Sequence, residues 1–149
     1  MTAVFVTTFV FISLITAEFI YAQSTTALPK ATPLEFVQGQ VTIPAAQVSD
    51  GDLHRYAVTI DGTEVRFLLF QKPDGNVATV FDACTICGAA GFYKTSTGLV
   101  CKNCASPINS QSVGLPGGCN PVPLKSTKIA DSIVITQADL AAGVEPFHR

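Results

Sequence analysis

Basic residues are few and dispersed: nine Lys and Arg stand against eleven Asp and Glu, giving a net charge of −2 over 149 residues. No cluster of them forms the electrostatic footprint of a nucleic-acid binder, so that class is set aside. Methionine occurs once, at Met1, which excludes a thioether copper site of the cupredoxin type. The two histidines are His54, opening an expected strand, and His148, near the chain end. Both fit ordinary surface positions better than metal ligation. GxSxG, HExxH, a phosphate-binding loop and a Cys/His nucleophile arrangement are all missing, which argues against a hydrolase. Cysteine is present in an odd number, five, so at least one cannot enter an intramolecular disulfide.

Charge is also missing from the beginning of the chain. "MTAVFVTTFVFISLITAEFIYAQ" carries no charged side chain before Glu18 and continues apolar to Ala22. At 1.5 Å per residue, about twenty apolar residues span a hydrocarbon core of about 30 Å. Residues 1–22 are therefore expected to be a transmembrane helix acting as anchor, or a cleaved export signal. A cleavage site before Gln23 is passable, but the basic stretch that normally opens a signal peptide is lacking, which favours the anchor. With only Lys30 following soon after, orientation is weakly specified. Either way the remainder is expected outside the cytoplasm, in the periplasm or its equivalent.

Residues 23–33, "QSTTALPKATP", have no periodicity and read as a tether. Residues 34–149 form the expected domain, of a size that buries about two thirds of its unfolded surface and needs no metal merely to fold. Within it, "GQVTIP", "HRYAVTI", "TEVRFLLFQ", "VATVF" and "SIVIT" are rich in β-branched and aromatic residues and predict strands. Asp61-Gly62 between the second and third predicts a hairpin. No stretch after the anchor sustains a helical period, so an all-β domain with short helical turns near Ala45 and Ala138 is expected. A weak echo between residues 41–51 and 133–143 could place the two pieces at neighbouring edges of one sheet, and chance would produce the same echo.

Four cysteines form two CxxC pairs, Cys84/Cys87 and Cys101/Cys104, with thirteen residues between them. A CxxC turn brings two thiolates to one metal while its backbone N–H groups point at the sulfurs. Two such turns supply four sulfurs, enough for tetrahedral zinc or iron or for an iron–sulfur cluster. Each pair follows an apolar run, and Gly88 after the first can take positive φ. Two disulfides or a thiol redox site are the alternatives, although a CxxC disulfide closes too small a loop to be a useful staple. Cys119 lies apart in the Gly/Pro-rich "GLPGGCNPVPL", an irregular loop able to fold over the centre. It could be a further ligand, a cover, a redox thiol or a small buried residue in a turn. Asp82 could accept hydrogen bonds around the centre or shape the turn.

Taken in order, "FDACTICGAAGFY", "VCKNC" and "GGCNPVPL" resemble the motifs of the FtrD-like membrane iron–sulfur protein family, and the similarity covers roughly residues 32–140. The resemblance implies an iron–sulfur domain linked with bacterial iron uptake, passing electrons beside a periplasmic iron binder, a cupredoxin-like oxidase and an iron permease. It carries over Cys84, Cys87, Cys101 and Cys104 as ligands and Cys119 as a further motif cysteine. The family's domain commonly follows a multi-span membrane region, whereas this chain has one expected span, so a transport path does not transfer. In layout the domain is also similar to Rieske domains: strand, ligand pair, spacer, second pair, Gly/Pro loop, closing strand. That similarity implies a small β-sandwich with the centre at one tip beneath the Cys119 loop. The ligands there include histidines; thiolates in their place would lower the reduction potential by several hundred millivolts. Rubredoxin-like or zinc-ribbon knuckles set in a β-domain are the alternative architecture.

These readings converge on a membrane-tethered electron carrier rather than an enzyme, with a redox protein as partner. Mononuclear iron or zinc stays open beside a cluster, because no twin-arginine export signal precedes the apolar segment and single ions can be captured after export. A structural zinc module and a thiol–disulfide oxidoreductase are the rival functions.

Overall fold

The computed structural model describes residues 28–148. The expected membrane segment, residues 1–22, and the start of the tether lie outside them. Among the described residues no helix is long and apolar enough to cross a membrane.

The domain is all-β, as expected. Its strands are β1 (Thr32–Pro33), β2 (Gln40–Pro44), β3 (Leu53–Ile60), β4 (Thr63–Gln71), β5 (Val77–Cys84), β6 (Phe92–Thr95), β7 (Gly98–Cys101), β8 (Pro107–Ile108), β9 (Pro121–Pro123), β10 (Thr127–Ile129) and β11 (Ser132–Thr136), followed by one short helix, α1 (Gln137–Ala141). Three sheets result, ordered β1-β3-β4-β5-β9, β10-β11-β2 and β6-β7-β8. Thr32–Pro33, at the end of the expected tether, already pair with β3 in parallel.

The β3–β4 hairpin closes at Asp61-Gly62, with φ of 48° and 80°. Two consecutive positive φ values give a turn whose twist matches that of the flanking strands. Side chains then alternate across the central sheet. Val65, Phe67 and Leu69 of β4, with Phe81 and Ala83 of β5, pack against Val41, Ile43, Ile133 and Ile135 of the β10-β11-β2 sheet. Leu68, Phe70, Val80 and Cys84 project the other way, onto Phe92, Leu99 and Ile108 of the β6-β7-β8 sheet. The central strands are covered on both faces, which is why Phe67, Leu68, Leu69 and Phe70 of β4 form an unbroken buried apolar run instead of a polar alternation.

The echo noted in the sequence has a structural counterpart. β2 and β11 are antiparallel neighbours, Ile43 opposite Ile133. A short helical turn follows each: Ala45–Val48 after β2 and α1 after β11. At α1 the Thr136 hydroxyl accepts from the Asp139 N–H and so caps the helix.

Candidate metal centre

β5 and β7 each end on a cysteine, and each cysteine begins a tight turn. In the first, the Cys84 N–H donates to the Gly88 carbonyl at 3.0 Å and the Gly88 N–H returns to the Cys84 carbonyl at 2.9 Å. In the second, the Ala105 N–H donates to the Cys101 carbonyl at 3.0 Å while the Cys101 N–H donates to Ser106 at 3.0 Å. The fifth residue of each turn is left-handed: Gly88 has φ 61° and Ala105 φ 55°. The two pairs are thus built alike. Gly88 announces this in the sequence; Ala105 does not, because alanine pays about 1–2 kcal/mol for a left-handed conformation that its own type does not advertise.

Inside the turns, backbone N–H groups point at sulfur. The Cys87 N–H donates to Cys84 Sγ at 3.1 Å. Burial raises the Cys101 thiol above its usual range, against the opposing pull of the Cys104 and Asn103 N–H groups. Cys104 is drawn down to about 7, first by the Ser106 N–H and then by the Cys101 thiol. Cys119 is raised, mainly by its hydrogen bond with the Cys104 thiol, then by burial and by charge on Cys104. A thiolate that receives N–H donors is the form a metal binds.

The sulfurs of Cys84, Cys87 and Cys101 all lie within 4.8 Å of one another. Cys104 stands at the edge of this group, exposed, with its Sγ 3.7 Å from that of Cys119. The Cys119 loop comes back over the first turn, where the Thr85 hydroxyl donates to the Gly118 carbonyl at 3.4 Å. Two turns from separate strands therefore present their sulfurs at one place, and all five thiols are free. The donor set suits thiophilic iron or zinc: soft sulfur, three ligands in mutual reach and a fourth beside them.

Neither histidine joins. His54 Nε2 pairs with Asp50 at 2.7 Å and His148 Nδ1 contacts the Thr63 hydroxyl at 3.3 Å.

Asp82, two residues before Cys84, does more than shape a turn. Its carboxylate is fully buried, accepting from Arg55 Nε at 2.8 Å and from the Phe92 N–H at 2.9 Å. Arg55 also donates to the Phe92 and Pro29 carbonyls, and Arg66 Nε lies 3.6 Å from the same carboxylate. Phe92 is the register partner of Cys101. One carboxylate therefore ties the strand delivering Cys84 to the hairpin delivering Cys101. Arg55 and Arg66 escaped the sequence reading. The available signal was a cation and an anion on the same inward face of strands that are otherwise apolar.

A family model described as "Membrane iron-sulfur containing protein FtrD-like" matches residues 48–147. No curated protein and no solved structure matches the chain.

Proposed function

The chain belongs to the FtrD-like family of membrane iron–sulfur containing proteins, and from that premise we propose that it is a membrane-tethered electron-transfer protein whose iron–sulfur centre is held by Cys84, Cys87, Cys101 and Cys104. Residues 1–22 are its anchor, the residues from 23 up to strand β1 its tether, and the remainder, beginning with Thr32–Pro33 paired to β3, the domain that works outside the cytoplasm as an accessory to iron uptake. Its partner is a redox protein of the uptake system, such as a cupredoxin-like oxidase or an iron permease. The tether keeps the domain at high local concentration beside such a partner.

The observation that carries this reading is the convergence of two like-built CxxC turns on one point. Bound iron would supply a one-electron donor and acceptor. The chain's own contribution is to fix the sulfurs on the ends of β5 and β7, to tune them with N–H donors and burial, and to keep the centre near the surface. Ile86, between the first two cysteines, and Leu115, on the approach to Cys119, are 69% and 57% exposed. Ile86 gives the first cysteine turn an apolar tip for a partner to dock against. The three-sheet build, with the first cysteine turn at the end of β5 in the central sheet and the second at the end of β7 in the small third sheet, accommodates a Rieske-like architecture and rubredoxin-like knuckles equally.

One observation favours a second reading, a single iron or zinc ion. Four thiolates around one ion at about 2.3 Å lie about 3.8 Å apart, a spacing compatible with three sulfurs inside 4.8 Å. Anaerobic isolation of the full chain, with iron, zinc and acid-labile sulfide analysis, visible absorption and EPR before and after dithionite, separates the readings. Iron with a dithionite-sensitive spectrum is expected. A colourless zinc protein indifferent to dithionite, or a metal-free dithiol, ends the electron-transfer proposal.

A further inference from the structure

Cys104 faces two ways. It shares a turn with Cys101, whose sulfur lies within 4.8 Å of those of Cys84 and Cys87, and its own sulfur lies 3.7 Å from that of Cys119 on the other side. It is the exposed cysteine, while Cys84 and Cys101 are buried. A disulfide needs sulfurs about 2.0 Å apart, so the gap to close is roughly 1.7 Å. The loop carrying Cys119 has room to close it: Gly117 and Gly118 both have positive φ, at 108° and 57°, with open space around them. The two cysteines are also fifteen positions apart, so their disulfide would not be the cramped ring of a CxxC cystine.

We propose that Cys104 and Cys119 form a thiol–disulfide exchange site that closes the centre to metal. In the metal-free chain, the Cys104 thiolate attacks one sulfur of a small-molecule or protein disulfide, RSSR, forming a mixed disulfide and releasing RS⁻, which takes up a proton. The Cys119 thiolate then attacks the Cys104 sulfur and releases the second RSH. Two protein thiols are oxidised and one RSSR is reduced to two RSH. The product holds Cys104 away from Cys84, Cys87 and Cys101, so the site lacks its fourth ligand until a thiol reductant reverses the exchange. This rests on the reading of Cys104 as a ligand. In an oxidising compartment the device keeps an empty site from capturing stray ions, and bound metal protects the pair by occupying Cys104.

The test uses the full chain, stripped of metal, reduced, then incubated with oxidised glutathione. Trypsin releases residues 103–125 as a peptide holding Cys104 and Cys119 and no other cysteine. That peptide is expected to lose the mass of two hydrogens while Cys84, Cys87 and Cys101 remain alkylatable. Uptake of Zn²⁺ by the exchanged chain should fall at least tenfold and return with dithiothreitol. Cys119→Ser should load Zn²⁺ when reduced and, with no thiol to resolve the first step, should stop after glutathione treatment at the Cys104–glutathione mixed disulfide, read as one glutathionyl group on the same tryptic peptide. A first cystine within a CxxC pair, unchanged Zn²⁺ uptake after exchange, or loss of uptake in reduced Cys119→Ser overturns the proposal; the last would make Cys119 a ligand instead. If the reduced wild-type chain takes up no metal, the metal-centre reading and the closing role fall together, while the peptide mass still decides the exchange site.

Discussion

Arg55 and Asp82 are joined by a 2.8 Å contact between Nε and Oδ2, with side-chain exposures of 4% and 0%. A buried ion pair is seldom a net gain over apolar residues, but losing one partner strands a charge in the interior. Here the pair also has a positional consequence, since Asp82 Oδ1 takes the Phe92 N–H and so joins the approaches to both cysteine turns.

Asp82→Ala should therefore cost about 3–5 kcal/mol in the metal-free protein, read from urea denaturation of the full chain in detergent. The double variant Asp82→Leu/Arg55→Met should recover much of that stability. It should not recover metal retention, because the tie from β5 to Phe92 is gone. Equal losses of stability in single and double variants would show that the pair's charge is not what matters.

The matched turns make a prediction of opposite signs. Gly88 and Ala105 hold the same left-handed place, so Gly88→Ala should destabilise by about 1 kcal/mol and Ala105→Gly should be neutral or stabilising by a few tenths to 1 kcal/mol, after the added freedom of the unfolded chain is counted. Gly91→Ala should be worse than either. Its φ is 89°, and a Cβ there would lie 2.5 Å from Leu28 Cδ1 and 3.2 Å from the Asp82 carboxylate. Thermal unfolding of the three variants, compared under one condition, gives the order.

Much of this was legible beforehand, and the pattern of what was not has physical reasons. β3, β4 and β5 announce themselves by their β-branched and aromatic residues, which strands covered on both faces bury. The Asp61-Gly62 turn does so because few dipeptides tolerate two positive φ values. The paired CxxC spacing likewise points to the convergence of Cys84, Cys87 and Cys101. The third sheet is different: β6 is "FYKT" and β8 only "PI", too short and mixed to carry a period. The approach of Cys104 to Cys119 depends on a Gly/Pro loop whose path no local preference fixes.

The thiols also give a pH dependence. Cys104 titrates near 7 in the fold, below its usual 9.0, and a depressed thiol stabilises the folded state above its unfolded pKa. That contribution is lost as pH falls from about 9 through 7. Alkylation of the reduced, metal-free chain by iodoacetamide should accordingly reach half its maximal rate at Cys104 near pH 7. Cys101, raised by burial, should require higher pH. Site-resolved mass spectrometry of the alkylated peptides measures both, and a reversed order would contradict the assigned hydrogen bonding.

Sulfur spacing yields the sharpest test of the centre itself. In a two-iron cluster each iron takes its own pair of thiolates, so the pairs stand apart with bridging sulfide between them; around one ion all four thiolates crowd to about 3.8 Å. Cys101 lies within 4.8 Å of both sulfurs of the first turn, so a two-iron cluster requires the turns to separate, and a single ion requires the sulfurs to draw together and Cys104 to come in from the edge. Reconstitution with Fe²⁺ alone and with Fe²⁺ plus sulfide should then differ. For a cluster, only the second should give a stable product, with sulfide equal to iron. Hydrogen exchange at the Cys84–Gly88 and Cys101–Ser106 bonds should report which turn shifts on loading. In either case Cys101→Ser, at a buried position, should abolish loading. Cys104→Ser, at the exposed edge, should leave a weaker centre with a shifted spectrum, since serine oxygen can still ligate iron and the other three sulfurs are already in place. Equal effects of the two substitutions would mean that the exposed cysteine is held as firmly as the buried one when metal is bound.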